Sequence, residues 1–331
     1  MGNQGSEPTM NALSSELTDA PAASAPLADA ICVIVNPGSG RRAGQLSLEE
    51  MEERITALPR RTEIRHATDG ADIGRLARTA LEEGYGTIVA AGGDGTICAV
   101  AAEIAGKDVK MGVIPMGTFN FFARGLGIPE EVDPAVALLD SGTPRGVTVG
   151  EVNGEIFLNN ASLGAYPAIL DQREGIYKRW GRSRIAAYWS VLTALASFKR
   201  PLRMQITVDG TRYRRRSALA FVAMSAYQLE EYELDGAEAV RDGQFALFMA
   251  PDVGRFGLII QAMRLAGRQM RPGRDVELIT GRDILIETNH SKRLLARDGE
   301  KERMNDPFHF IARPDALHVL APPQTEDTVH A

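Results

Sequence analysis

Residues 88–96 read Ile-Val-Ala-Ala-Gly-Gly-Asp-Gly-Thr. Ile88 to Ala91 form an apolar run of strand length. Gly92, Gly93 and Gly95 remove the side chains that would keep another molecule from the backbone. Thr96 to Ala105 can open a helix. A strand, a glycine turn and a helix N-terminus make a site for phosphate, because unpaired N–H groups converge there and the helix dipole favours an anion. Asp94 is the odd member: a carboxylate repels phosphate, so it is expected to act through a metal ion or a hydroxyl. The plainer reading is a tight turn after a strand, which the glycines alone explain.

Outward from this stretch the chain alternates. Strands are expected at 31–35, 63–67, 87–91 and 110–114, and helices at 46–58 and 72–83, the latter with Ile73, Leu76, Ala77, Ala80 and Leu81 on one face. Such alternation implies a parallel sheet covered on both faces. Ligands bind such sheets at the carboxyl ends of the strands. Asn36 to Gly40, Gly92 to Thr96 and Pro115 to Asn120 each follow a strand end, so they should meet at one rim.

After residue 145 the pattern becomes short extended runs, at 202–208, 218–224, 245–249, 276–279 and 284–287. Asn153-Gly154, Asp209-Gly210 and Asp298-Gly299 have hairpin-turn chemistry. This reads as an antiparallel β domain, interrupted by helical segments near 167–198 and 255–270. Basic residues crowd the stretch from Arg173 to Arg216, with Trp180, Tyr188 and Trp189 among them. Arg255, Arg264, Arg268 and Arg271 share a second basic segment with Phe256, Leu258, Ile259, Ile260 and Met263. Basic amphipathic segments suit an anionic membrane surface, and equally any solvated helix face.

The 331 residues suggest about two domains. Expected boundaries are a disordered tail at 1–28, a nucleotide-binding α/β domain at 29–149 with 308–323 returning to it, a β-sandwich lipid-substrate domain at 150–307, and a tail at 324–331. The formal charge of −6 argues against bulk nucleic-acid binding. Cys32 and Cys98 lie in apolar surroundings and read as packed thiols in a reducing compartment. No apolar stretch approaches the ~20 residues of a spanning helix. The expectation is a cytoplasmic protein that visits membranes peripherally, with C-terminal sheet edges that could pair in a homodimer.

Several segments together resemble the diacylglycerol kinase catalytic-domain family, which includes bacterial soluble lipid kinases and sphingosine and ceramide kinases. They are Asn36-Pro37-Gly38-Ser39-Gly40, Thr68, Gly92-Gly93-Asp94-Gly95-Thr96, Pro115-Met116-Gly117-Thr118-Phe119-Asn120 with Phe122-Ala123-Arg124, Asp242-Gly243 and Asp298-Gly299-Glu300. The resemblance implies an N-terminal α/β domain of the phosphofructokinase and NAD-kinase type, and a C-terminal antiparallel β-sandwich across a cleft. The final strand, around 316–320, would return to the first domain. It also implies ATP and Mg²⁺. Asn36, Thr68, Gly92, Gly93, Asp94, Gly95, Thr96, Ile97, Cys98 and Thr118 would bind ATP. Asp94, Asp298 and Glu300 would be catalytic, with Glu300 taking the proton of a lipid hydroxyl. Asp242, with the carbonyls of Ala239 and Gln244, would hold a structural Mg²⁺.

Two positions depart from the family pattern: Ala99 and Phe121 stand where many members carry acids. The function this implies is ATP-dependent phosphorylation of a diacylglycerol-like or sphingoid-like membrane lipid. Two alternatives compete. An NAD kinase shares the glycine motif but needs an Asn-Glu pair, for which Asn159-Asn160 is the nearest candidate and lacks the acid. A catalytically weak lipid- or nucleotide-binding protein would account for Ala99 and Phe121.

Overall fold

The computed structural model describes residues 27–39, 47–164, 201–267, 269, 271 and 273–323. Most of both expected tails, Gly40, the basic stretch from Arg173 to Arg200, and Arg268 lie outside the described residues. Leu27 and Ala28, expected in the N-terminal tail, belong to a 3-10 turn at Leu27–Asp29. The Leu27 carbonyl there accepts the Gly86 N–H at 3.1 Å.

Strands β1 (Ile31–Val35), β2 (Thr62–His66), β3 (Thr87–Gly92) and β4 (Lys110–Pro115) run parallel in the order β2-β1-β3-β4. Helices α1 (Leu48–Thr56), α2 (Gly70–Glu83), α3 (Asp94–Ile104), α4 (Phe121–Gly125) and α5 (Val132–Ser141) accompany them. Every residue of β1 and β3 is buried, as strands covered on both faces must be. Ile31, Val33 and Val35 pack with Met51 and Ile55 of α1 and Val136 and Leu139 of α5. Cys32 and Ile34 pack on the other face with Ile73 and Ala77 of α2 and Ile97 and Ala101 of α3. Local chemistry sets the helix ends. Ser47 and Glu50 form a reciprocal capping box on α1. Asp69 caps α2, which ends at Gly84 in the left-handed region, φ 87°.

The second half is built from β5 (Thr143–Val152), β6 (Glu155–Phe157), β7 (Asn160–Gly164), β8 (Leu202–Val208), β9 (Thr211–Ser217), β10 (Leu219–Ala223), β11 (Phe245–Met249), β12 (Glu277–Gly281), β13 (Asp283–Thr288), β14 (Lys292–Arg297), β15 (Glu300–Asn305) and β16 (Phe308–Ala321). Helices α6 (Ala226–Glu231), α7 (Ala237–Arg241) and α8 (Arg255–Ala266) lie among them. One antiparallel sheet has the order β12-β11-β10-β7-β14-β15. It packs against β8, β13 and the start of β16 through Leu163, Val222, Phe245, Leu247 and Leu295 on one side and Met204, Ile206, Ile284, Phe308 and Phe310 on the other. Phe157, Phe245 and Phe310 form the centre, with ring centroids 5.8–6.4 Å apart.

The sheet of the first half does not stop there. It continues as β4-β16-β13-β8-β9. β16 pairs in parallel with β4 at His318 and Val319, and antiparallel with β13 from Phe308 to Ile311. It is longer than the 316–320 expected for the final strand and runs through Pro314 and Asp315. The structure passes them with a register shift between Arg313 and Leu317, with Asp315 at φ 50°, as a bulged strand does.

Phe310 is fully buried against the rings of Phe157 and Phe245. Phe310→Ala should lower stability by about 3–5 kcal/mol, read from urea unfolding.

Candidate phosphate site and acceptor cleft

The chain leaves β1 toward β2 on one side and β3 toward β4 on the other. Connections therefore diverge between the carboxyl ends of β1 and β3 and leave a crevice, the place where such sheets hold ligands. Asn36 enters it from β1. Its Nδ2 donates to Thr96 Oγ1 at 3.0 Å, and its Oδ1 accepts the Gly38 N–H at 3.1 Å. Ser39 Oγ accepts the Gly93 N–H at 3.3 Å.

The third segment arrives from β4. Met116 N–H donates to the Gly92 carbonyl at 2.8 Å. A Cβ on Gly117 would lie 2.7 Å from the Gly93 Cα and 2.7 Å from Asn120 Oδ1, so the two backbones touch and only glycine fits. Asn120 closes this loop from a fully buried position at φ 50°. Its Oδ1 accepts the Gly117 N–H at 2.9 Å, and its Nδ2 donates to the Gly117 carbonyl and to Glu130 Oε1, both at 3.0 Å. Asn36–Ser39, Gly92–Thr96 and Pro115–Asn120 thus share one rim, with Thr118 exposed on it. No side chain caps α3 at Gly93, which leaves its first-turn N–H groups available to an anion.

Several expected contacts fall elsewhere. Ile97 and Cys98 lie inside α3 with their side chains in the core, and the Ile97 N–H is spent on the Gly93 carbonyl at 3.0 Å. The Thr68 hydroxyl donates to Asp72 at 3.2 Å, and the α2 cap is Asp69. Ala99, within α3, packs partly buried against the core. Asp94 turns toward α4, where the Phe122 N–H reaches its Oδ1 at 3.4 Å. Burial pushes its carboxyl above the usual carboxylate range. The N–H groups of Phe122, Asn120 and Phe121 pull it down, and the Asp298 carboxylate pushes it up.

Asp298 lies opposite. It occupies the turn between β14 and β15 at φ 47°, followed by Gly299 at φ 92°, the pairing of a type I′ hairpin. Its carboxylate accepts three consecutive backbone N–H groups, from Leu158 at 2.6 Å, Asn159 at 2.8 Å and Asn160 at 3.0 Å. The Cys98 thiol lies between this carboxylate and the Ile156 carbonyl, and burial raises it well above the ordinary thiol range. Glu300, two residues on, is exposed at the start of β15. The structure also brings in residues whose part sequence reasoning missed. Asn160 Nδ2 donates to Gln228 Oε1 at 2.9 Å, tying α6 to the same loop. Arg124 stands 5.2 Å from the Tyr227 ring and 3.7 Å from Glu130.

The expected Mg²⁺ donors are the Asp242 carboxylate and the carbonyls of Ala239 and Gln244, and the turn that carries them has partners of its own. The Gln244 N–H donates to the Ala239 carbonyl at 2.9 Å, and the Arg282 guanidinium sits on the Asp242 carbonyl at 2.9 Å, placing a positive charge at that turn. Among the described residues no group of three His, Cys, Asp or Glu side chains could hold a metal. Nor is any helix among them long and apolar enough to cross a membrane.

A model of the diacylglycerol kinase catalytic domain matches residues 30–152, and one of the YegS C-terminal NAD kinase beta sandwich-like domain matches residues 172–321. The chain carries a diacylglycerol kinase catalytic domain followed by a YegS-type C-terminal domain, the pair of a lipid-kinase family. A Bacillus subtilis (strain 168) protein named diacylglycerol kinase is 29% identical over 295 residues, 88% of this chain and 95% of that protein. A Pseudomonas aeruginosa PAO1 protein named "Probable lipid kinase YegS-like" is 42% identical over 130 residues, 38% of this chain and 42% of that one. The crystal structure of a diacylglycerol kinase from Bacillus anthracis str. Sterne superposes with a TM-score of 0.63 at 20% identity, covering 89% of this chain and 97% of that one. That likeness shows the fold. By its named members the family is one of lipid kinases, and the chain is a phosphotransferase of that family.

Two outcomes follow for this kinase-family site. Gly117→Ala forces Gly93 and Gly117 apart and should cost about 1–3 kcal/mol of stability by overpacking. Nucleotide binding, titrated calorimetrically, should weaken in parallel. Asp94 holds its proton more tightly folded than unfolded, so its ionisation opposes folding as pH rises past the ordinary carboxylate range. Asp94→Asn should raise the thermal midpoint at neutral pH. The gain should vanish once pH falls below that range, as scans at both pH values would show.

Proposed function

We propose that the chain transfers the γ-phosphate of ATP to a hydroxyl of a diacylglycerol-like or sphingoid-like lipid. The observation that carries this reading is the backbone contact of Gly93 with Gly117 beside the uncapped start of α3, with the Asp298-Gly299-Glu300 turn across from it. The first is a phosphate cradle, and the second presents carboxylates where an acceptor would enter.

Phosphoryl transfer needs positioning and charge stabilisation more than covalent chemistry. The N–H groups at the start of α3 would hold the phosphate oxygens as charge develops on them. Mg²⁺ carried on the nucleotide's phosphates would offset part of that charge. The acceptor oxygen forms a new bond to the γ-phosphorus, and the bond from phosphorus to the ADP oxygen breaks. The hydroxyl proton passes to the Glu300 carboxylate, whose exposure lets it reach an acceptor entering from solvent or a bilayer surface. Asp298, engaged by three N–H groups, acts by holding the turn that aims Glu300. Because the acceptor is a membrane lipid, the chain would work peripherally at a bilayer surface.

The test is an assay with ATP, Mg²⁺ and a panel of diacylglycerols and sphingoid bases. Phosphate should appear on at least one lipid, and Glu300→Gln should lower kcat by about 10²–10⁴-fold with little change in KM. Failure of the wild-type chain to phosphorylate any lipid, or a Glu300→Gln variant as active as wild type, would overturn the reading.

A further inference from the structure

We propose that Phe119, Phe121, Tyr227 and Tyr232 form an aromatic wall that receives the hydrocarbon chain of the acceptor lipid; this rests on the lipid-kinase reading above. Phe119 and Phe121 stack with centroids 5.4 Å apart and planes 10° apart. Phe121 meets both Tyr227 and Tyr232 at 6.4 Å, tilted by 49° and 51°. Among the described residues only four large hydrophobic side chains are exposed, and two are in this wall: Phe119 at 51% and Tyr232 at 37%. A contiguous apolar patch left open beside a cleft marks a surface that binds something apolar.

Its position says what. Phe121 follows Asn120, and the Phe122 N–H next to it reaches Asp94. On the far side Tyr227 precedes Gln228, which holds Asn160, whose N–H is bound by Asp298. The wall therefore bridges the two carboxylates around the cleft, and it crosses from α4 in the nucleotide half to α6 in the half that carries Glu300. A nucleobase is flat and stacks on one open face. Here the one parallel pair stacks on itself, and the tyrosines lie in other planes. A flexible chain can follow such a surface, and the Arg124 guanidinium 5.2 Å from Tyr227 steadies the ring from one side.

The test compares the wild-type chain with Phe119→Ser, Tyr232→Ser and Phe119→Leu. Acceptors are dioctanoylglycerol and dioleoylglycerol in mixed micelles with ATP. In both serine variants kcat/KM for the long-chain acceptor should fall about tenfold, with a smaller fall for the short one. KM for ATP should hold, and Phe119→Leu should recover most of the loss. A rise in KM for ATP with both acceptors unaffected would give the wall to the nucleobase and overturn the proposal. Equal losses on both acceptors, or none, would also overturn it. Binding of a pyrene-labelled diacylglycerol in micelles separates this from the kinase reading. If the wild-type chain phosphorylates no lipid, the kinase reading fails; weaker binding by Phe119→Ser would still support the wall, and equal binding would end it. Thermal midpoints of all variants guard against loss of folding.

Discussion

Strand β16 is the constraint on which the cleft depends. Along one edge it pairs with β5 from Phe310 to Ala321, and along the other it serves β13 first and β4 last. One backbone thus joins the parallel strands of the first half to the antiparallel strands β13, β8 and β9 of the second. The loops after β1, β3 and β4 belong to one half, and the β14–β15 hairpin to the other. The shared strand joins the first-half sheet to β13, β8 and β9, and the side-chain core around Phe308 and Phe310 seats the sheet of β14 and β15 against it. The rings of Phe308 and Phe310 at its start and Leu317 and Val319 near its end bury it in a separate core on each side.

The cleft between them is organised by backbone N–H groups more than by cations. Asp298 is held by three amides and Asp94 by the amides at the start of α4. Both carboxylates are oriented by groups that cannot drift or titrate. Amides at the start of α3 offer the same kind of donor to phosphate. Preorganised dipoles of this sort stabilise developing charge without reorganising at the moment of reaction. The cost is borne by Asp94, whose burial near a second carboxylate disfavours its charge. Nothing in the folded chain compensates it with an arginine or lysine contact among the described residues, as expected where a nucleotide and its counterion would enter.

The three turn dipeptides were legible because their chemistry is local. Asn153, Asp209 and Asp298 adopt φ 50°, 47° and 47°, and the glycines after them φ 92°, 84° and 92°. Strands β1, β3 and β4 were legible as apolar runs. β9 and β15 were not. Thr-Arg-Tyr-Arg-Arg-Arg-Ser and Glu-Lys-Glu-Arg-Met-Asn carry no apolar alternation, since each is an outermost strand with little to bury.

What the sequence by itself determined was therefore the set of local structures and the rim. Glycines at 92, 93, 95 and 117, an apolar strand before each loop, and parallel alternation bring the phosphate loops to one edge for reasons that act over a few residues. What only the tertiary structure decided were the contacts between distant segments. Asp298 grips amides about 140 positions away, Asp94 turns to the amides of α4, and Phe121 joins tyrosines from the other half. Those choices depend on which surfaces the β16 pairing brings within a hydrogen bond or ring contact of one another. Side-chain chemistry can state that a carboxylate needs donors; only the packed fold supplies particular ones.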